Sequence, residues 1–350
     1  MANQTNRATV ASIRCVYGKR LRWTDYRDLI SMRSLSEVVN YLKNSTAYAE
    51  FLRDIEPNFA HRSHLETVLQ RSIFERDMHF CMLEQLHKTP FFRFFIMDYE
   101  VQELLKAIQF LSDDNHGYIT EMAAWLAPYT IFPLDRLARA KSIPEIVDAV
   151  AHTPYHTVLK TFFAEHDAET DFTACEIAMR SHYLEKLRED AGKLVHGSDW
   201  DALNQCIGEQ IDLINLINAY RLKSMFHTDS ETLKKMMLPV QGKLPARILQ
   251  QLYDAPDAAA FQEIFKTTRY GRMLRSGTSD FDRQQMEKAF QTVRCQTARN
   301  ALHFSGHAAV SLYAVHFLFQ VEVRNLITII EGIRYGKSTS FMQSHLILES

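Results

Sequence analysis

The chain has 350 residues, of which 46% are hydrophobic, and its 40 Lys and Arg nearly balance 42 Asp and Glu. This composition supports a sizeable core and excludes a disordered chain, and without a Lys/Arg cluster it argues against a nucleic-acid binder. Only 11 Gly and 9 Pro occur, where average usage would give about 40. Short-strand sandwiches and Gly-rich nucleotide folds are therefore not expected. We predict an all-α protein built from long helices.

The sequence also predicts a soluble, intracellular protein. Its five cysteines are widely spaced and form no CxxC motif, which favours a reduced protein over a disulfide framework or zinc cluster. Residues 1–23 contain no apolar signal-like run, so no secretory signal is expected. The longest nearly apolar run, 308–319, has 12 residues, whereas a membrane-spanning helix needs about 20.

Four landmarks recur three times in the same order, which indicates an internal repeat. The first is a turn that leads into a short apolar helix, at 23–29, 132–137 and 242–252. The second is an amphipathic segment that ends in Thr-x-Tyr, at 34–48, 142–155 and 257–270. The final tyrosines of these segments are Tyr48, Tyr155 and Tyr270.

The third landmark is a helix that begins with a Glu, predicted from apolar spacing near 3.6 residues. These residues are Glu66, Glu176 and Glu287. The fourth is an acidic residue inside an otherwise apolar helix, 52, 57 and 52 residues after the tyrosines. The acids are Glu100, Asp212 and Glu322, and the residues three positions further on are Glu103, Asn215 and Asn325.

Each in-helix acid is expected to have a structural role. Because a buried charge must be paired, we expect each acid to hold a neighbouring helix terminus or an arginine such as Arg221 or Arg324. Convergence of the three acids on one catalytic centre is the alternative, but no base, nucleophile or metal set accompanies them.

Polar stretches near 112–117 and 227–231 separate the copies. The predicted repeats are therefore 1–112, 113–227 and 228–350, fused into one body.

Several short motifs resemble chemical sites. The stretch 332–339 resembles a phosphate-binding loop but has three residues between its glycines instead of four, so we interpret it as a helix stop. His303 and His307 share an i, i+4 spacing without the Glu and third ligand of a zinc site. The His166-Asp167 pair lacks the other ligands of a phosphohydrolase, and the Asp pair at 113–114 is interpreted as a solvated loop or a helix cap. No catalytic, cofactor or metal site is predicted.

In order and spacing, the four landmarks resemble the C subunit of archaeal and bacterial A/V-type rotary ATPases, which corresponds to the d subunit of the eukaryotic V-ATPase. The resemblance covers about 16–336 and is clearest at 211–223 (IDLINLINAYRLK) and 321–334 (VEVRNLITIIEGIR). It implies a pseudo-threefold funnel made of three similar helical repeats. The first repeat departs from the pattern because Glu103 stands where the others have Asn.

The resemblance further implies a non-catalytic connector in the central stalk of a rotary motor that transports H⁺ or Na⁺. Its partners would be the central-shaft subunits and the proteolipid subunits of the membrane rotor ring. It would be present in one copy per complex, monomeric when isolated, and cytoplasmic, held at the membrane through the complex. A generic helical-repeat scaffold and a metal- or nucleotide-dependent helical enzyme remain as alternatives.

Overall fold

The computed structural model describes residues 2–59, 61–83, 85–112, 123–165, 172–274 and 283–348. Within these ranges all regular secondary structure is helical, so the predicted all-α class is confirmed. The α-helices are α1 (Ala2–Gly18), α2 (Trp23–Ile30), α3 (Leu35–Ser45), α4 (Arg62–Leu83), α5 (Phe94–Ser112), α6 (Leu134–Ala138), α7 (Ile143–Ala149), α8 (Pro154–Glu165), α9 (Phe172–Leu194), α10 (Gly197–Phe226), α11 (Ser230–Lys235), α12 (Ala246–Asp254), α13 (Ala258–Thr267), α14 (Arg283–Phe304), α15 (Ala308–Arg334) and α16 (Thr339–His345). The 113–114 and His166-Asp167 pairs lie outside the described residues.

The helices form two compact units. Unit 1 comprises Met1–Phe92, Val195–Cys206 and Lys266–Ser350, and unit 2 comprises Arg93–Leu194 and Ile207–Phe265. These units are defined by packing, whereas the three predicted repeats are defined by sequence landmarks. The division at 112 and 227 therefore stays a prediction.

Unit 1 is organised around α15. All residues of the apolar run 308–319 are buried, as expected for a helix that is hydrophobic on every face. The helix packs against α14, α4 and α1. Its one histidine within the run, His316, contacts the buried carboxylate of Asp77 at 2.6 Å. This run is thus a core segment, and no helix in the described ranges is long and apolar enough to cross a membrane.

Unit 2 has its own core, centred on α5 and α9. Helix α5 packs against α9, α7 and α6, and α8 packs on α9. Helix α5 contributes Phe94, Phe95 and Leu104, and α9 contributes Met179 and Leu187, all of which are buried. Apolar residues at helical spacing therefore account for this core, as in unit 1.

Three helices begin earlier than the sequence predicts. Helices α4, α9 and α14 each start four residues before the Glu that was expected to open them. The residue immediately before each Glu is Leu65, Cys175 or Met286, and all three are buried. Each helix therefore contains a turn upstream of the Glu, and the predicted helix starts were wrong.

The three glutamates of these helices form ion pairs on partly exposed surfaces. Glu66 contacts Arg62 at 2.7 Å, Glu176 contacts Arg180 at 2.7 Å, and Glu287 contacts Arg324 at 3.4 Å. Such pairs stabilise a protein by only about 0–1 kcal/mol. The ion pairs of these glutamates therefore contribute little to stability.

The helix-stop interpretation of 332–339 is confirmed. Helix α15 ends at Arg334, and Gly336 adopts a left-handed conformation with φ of 62°. The Lys337 N–H donates to the Gly332 carbonyl at 2.8 Å, which is the hydrogen bond of a glycine-terminated helix. This geometry satisfies main-chain groups at the end of α15.

His303 and His307 do not share a helix, contrary to their i, i+4 spacing. Helix α14 ends one residue after His303, and His307 caps the start of α15 by accepting a hydrogen bond from the Ala309 N–H at 3.2 Å. In the described part of the chain, no group of three or more His, Cys, Asp or Glu side chains could hold a metal ion.

Replacing Leu326 by Ala should destabilise the protein by about 2–5 kcal/mol. Leu326 is fully buried in α15, so the shorter side chain leaves a cavity. The matched control is Arg324→Ala on the exposed face of the same helix, with an expected change of about 0–1 kcal/mol. Urea unfolding followed by circular dichroism measures both, and equal losses would contradict the central position of α15.

Candidate functional site

The acid Glu322 of α15 holds a segment near the beginning of the chain. Its Oε2 accepts a hydrogen bond from the Leu21 N–H at 2.7 Å, and its Oε1 accepts one from the Tyr48 hydroxyl at 2.8 Å. Glu322 and Tyr48 are both buried. We call an in-helix carboxylate and the groups that donate to it an acid latch; the Glu322 latch comprises Glu322, Leu21 and Tyr48.

The Arg76 guanidinium lies close to the Glu322 latch, beyond hydrogen-bond distance of the Glu322 carboxylate. Arg76 Nη1 is 4.0 Å from Glu322 Oε1. The Arg76 guanidinium lies over the rings of Tyr48, Phe51 and Phe319, at 4.7, 4.9 and 4.6 Å from their centroids. Aromatic faces attract a cation electrostatically, so Arg76 is held among the rings while its charge compensates the carboxylate.

The acid Glu100 of α5 makes the same set of contacts in unit 2. Its Oε1 accepts from the Ile131 N–H at 2.8 Å, and its Oε2 accepts from the Tyr155 hydroxyl at 2.7 Å. Arg93 approaches Oε1 at 3.3 Å. The Glu100 latch comprises Glu100, Ile131, Tyr155 and Arg93. It repeats the backbone N–H and the tyrosine hydroxyl of the Glu322 latch and adds an arginine that donates directly to the carboxylate.

The third acid, Asp212 of α10, binds main chain through two successive N–H groups. Its Oδ2 accepts from Lys243 N–H and Leu244 N–H, both at 2.9 Å. The Asp212 latch comprises these three residues. The adjacent Gly242 permits the close approach, because a Cβ there would lie 2.6 Å from Asp212 Cγ. The third landmark tyrosine, Tyr270, is buried and packs against Phe290 with ring centroids 4.6 Å apart.

The donors of the three latches lie in equivalent places. Leu21, Ile131 and Leu244 come two or three residues before the short helices α2, α6 and α12. A carboxylate near a helix N-terminus also interacts favourably with the helix dipole. Of the arginines suggested from sequence, Arg324 pairs with Glu287. The arginines that act on the two buried glutamates are Arg76 and Arg20 for Glu322 and Arg93 for Glu100.

The residue three positions after each acid holds a second segment. Asn325 donates to the Ile347 carbonyl at 2.8 Å and accepts from the Ile347 N–H at 2.9 Å. Asn215 makes the same pair of bonds with Leu238, at 3.2 and 2.8 Å. An amide side chain suits this task because it carries both a donor and an acceptor.

Glu103 shows how the first copy departs from this pattern. Its Oε2 accepts from the Ala123 N–H at 3.2 Å, and its Oε1 contacts Lys106 Nζ at 2.6 Å. A carboxylate can accept but not donate, so a lysine on the same helix satisfies the second oxygen. Sequence reasoning missed the role of this position, although the recurrence of Asn beside a buried acid was a usable signal.

Burial dominates the electrostatics of the two Glu latches. It raises the pKa of Glu100 and of Glu322 above the ordinary value, while their tyrosine, backbone and arginine partners act in the opposite direction. Burial and the neighbouring carboxylates also raise the pKa of Tyr48 and Tyr155. The tyrosines therefore stay protonated and donate, and the arrangement is suited to holding chain segments together.

Replacing Gly242 by Ala should cost about 1–3 kcal/mol of stability. The new Cβ would lie too close to the Asp212 carboxylate and 3.0 Å from the Gly208 carbonyl oxygen. Gly306→Ala is the matched control, because a Cβ at Gly306 meets no atom within 4 Å and is expected to be neutral or stabilising. The midpoint temperatures of thermal unfolding of the two variants test this prediction. A Gly242→Ala protein as stable as the wild type would contradict the close approach of Gly242 to Asp212.

The variant Glu322→Gln should become more stable relative to the wild type as the pH rises. Burial raises the folded-state pKa of Glu322 above its unfolded value. Its contribution to stability is therefore fully present below about pH 4.5 and is lost as the pH rises through the folded-state pKa. The amide does not titrate. Urea unfolding of the wild type and of Glu322→Gln at a series of pH values measures the difference in their free energies of unfolding. If the wild type instead gained stability relative to the variant as the pH rises, the raised folded-state pKa of Glu322 would be contradicted.

Comparisons with known proteins give the same family that the sequence landmarks resemble. The family model described as ATP synthase (C/AC39) subunit matches residues 9–344. The A-type ATP synthase C subunit of Methanosphaera stadtmanae is 19% identical over 322 residues, which cover 90% of this chain and 80% of that protein. The A-type ATP synthase C subunit of Methanocaldococcus jannaschii is 22% identical over 219 residues, 61% of this chain and 54% of that protein. Because the family model spans nearly the whole chain, the protein belongs to the ATP synthase C/AC39 subunit family.

Proposed function

We propose that this protein is the non-catalytic connector of an A/V-type rotary ATPase. In this role it joins the central shaft to the ring of proteolipid subunits in the membrane and transmits torque to the ring, which moves H⁺ or Na⁺. The observation that carries the proposal is the family match over residues 9–344. The two relatives, each the C subunit of an A-type ATP synthase, support it.

The acid latches suit a part that transmits force. A connector must pass a rotation from one end to the other without being deformed, and closely packed interiors transmit strain. In the Glu322 latch, Leu21 lies 301 residues and Tyr48 lies 274 residues from Glu322 in the sequence. The latch therefore fastens the long helix α15 to the first part of the chain. Long helices fastened in this way support a mechanical role.

The order of the latches supports three repeats arranged as a closed, pseudo-threefold funnel. With repeats 1–112, 113–227 and 228–350, Glu100 of the first repeat binds Ile131 and Tyr155 of the second. Asp212 of the second binds Lys243 and Leu244 of the third. Glu322 of the third binds Leu21 and Tyr48 of the first. This cyclic order is the one that a ring of three units requires.

Deleting the gene should uncouple ATP hydrolysis from ion transport. Membrane vesicles from the deletion strain are expected to lose ATP-driven ion uptake, while the catalytic head released from the cells still hydrolyses ATP. Restoring the wild-type gene should restore uptake and return the protein to the detergent-extracted complex together with shaft and ring subunits. Full ion uptake by vesicles that lack this protein would overturn the proposal.

A further inference from the structure

The segment that follows α15 folds back onto unit 1. We call residues 338–348 the strap. Its helix α16 packs against α15 and α2, and Lys288 of α14 donates to the Ser344 carbonyl at 2.7 Å. The strap thus lies in a groove to which three helices of unit 1 contribute. The buried residues of the strap are Met342, Leu346 and Ile347.

The groove holds the strap at two positions on α15. At the first, the Asn325 amide bonds to both the carbonyl and the N–H of Ile347. At the second, Met342 fills a notch beside Gly332, where a Cβ would lie 2.4 Å from Met342 Cγ and Sδ. Helix α15 is buried along most of its length, so core packing keeps it in place. The groove is therefore expected to persist when the strap is absent.

The connection between α15 and the strap is exposed to solvent. Residues 334–341 are all exposed, and Gly336 has a left-handed φ of 62°. This stretch makes local contacts. Lys337 Nζ lies 5.4 Å from the centroid of the Phe341 ring, and the Ser338 hydroxyl accepts a hydrogen bond from the Phe341 N–H at 3.2 Å. An exposed connection can change its conformation without disturbing the core.

The strap is held less firmly than the helix beneath it. Helix α16 has seven residues, whereas isolated helices shorter than about 12–15 residues are marginal in water. Its order therefore depends on the groove. Segments with few buried apolar contacts open locally at a lower free energy than the core. We therefore expect the strap to open as one unit while α15 stays folded.

The strap also forms one wall of a small cavity beside the Glu322 latch. This cavity, of about 50 Å³, is lined by Glu322 and Asn325 of α15 and by Ile347 and Leu348 of the strap. Opening of the strap removes that wall and gives water access to the carboxylate. Hydrogen bonds are electrostatically stronger in the protein interior than in water. The position of the strap therefore affects how tightly the Glu322 latch holds Leu21.

We propose that the strap is a detachable cover of the Glu322 latch. It leaves and re-enters its groove as one unit, shields the latch from water when it is bound, and is replaceable by the same segment supplied as a separate peptide. The exposed connection, the short helix and the fixed groove on α15 carry this proposal. It does not depend on the connector function.

Native-state hydrogen exchange of the unaltered full-length chain tests whether the strap opens. The Met342 N–H donates to the Ser338 carbonyl, and the Ile347 N–H donates to Asn325, so both amides are protected while the strap is bound. Both should exchange through one shared opening, with protection at least about tenfold below that of Leu326 in α15. Protection equal to that of Leu326, or separate openings for Met342 and Ile347, would overturn the proposal.

A chain cleaved in the exposed connection tests binding of the strap as a separate peptide. A protease site inserted after Gly336 lets the full-length chain fold before it is cut. The cut strap should exchange with a fluorescein-labelled peptide of residues 337–350. A Leu346→Ala peptide should bind at least about tenfold more weakly, because Leu346 is fully buried. The matched control peptide, Gln343→Ala, is altered at an exposed position and should bind within about twofold of the unaltered peptide.

Three outcomes of this cleavage experiment would contradict the proposal. They are unfolding of the whole chain on cutting, as seen by circular dichroism, failure of the labelled peptide to exchange with the cut strap, and equal binding by the Leu346→Ala and Gln343→Ala peptides.

The notch beside Gly332 has its own readout in the cut chain. Gly332→Ala should weaken binding of the unaltered peptide by at least about fivefold, because the new Cβ meets Met342. The helix itself favours Ala over Gly. A Met342→Ala peptide avoids the new Cβ and should bind both forms of the groove equally. Gly306→Ala is the matched control, since a Cβ there meets no atom within 4 Å. An equal loss for both peptides would show that the notch does not hold Met342.

Shielding of the latch is measured at the Leu21 N–H, which donates to Glu322. In the cut chain this amide should exchange at least about tenfold faster without peptide than with saturating unaltered peptide. The Gln343→Ala peptide should restore slow exchange equally well. The same exchange rate at Leu21 with and without peptide would refute the shielding role of the strap.

Discussion

The buried carboxylate in an apolar helix is the constraint on which the rest of the structure depends. Burying an unpaired carboxylate is far more costly than any single core contact is stabilising. Glu100, Asp212 and Glu322 are all buried, so each must be supplied with donors. The donors are main-chain N–H groups just before a short helix, joined in two cases by a tyrosine hydroxyl. Each acid thus specifies where a distant segment of the chain must lie.

A second contact three residues along the same helix adds to this constraint. Residues three apart lie on one face of a helix, so the acid and the following Asn or Glu act together. In α15, Glu322 holds the segment at Leu21 while Asn325 holds the segment at Ile347. One helix face therefore fastens both the beginning and the end of the described chain. Such a face is well suited to a protein that must resist deformation under load.

Much of the fold follows from the pattern of apolar and charged side chains. The latches depend in addition on backbone N–H groups and on distant side chains, which leave no pattern in the sequence. The apolar run 308–319 and the glycine stop at Gly336 identify α15 and its end from sequence alone. The in-helix acids are equally visible, because a charge interrupts an apolar helix. Their partners are not, because a backbone N–H leaves no mark in the sequence and the Tyr48 hydroxyl lies 274 residues from Glu322.

A double-mutant cycle on Glu322 and Tyr48 tests the central claim most directly. Unfolding free energies are measured for the wild type, Glu322→Gln, Tyr48→Phe and the double variant. If the Glu322 latch fastens the final long helix to the beginning of the chain, the two substitutions should couple by at least about 1 kcal/mol. Effects that add to within about 0.5 kcal/mol would contradict the account.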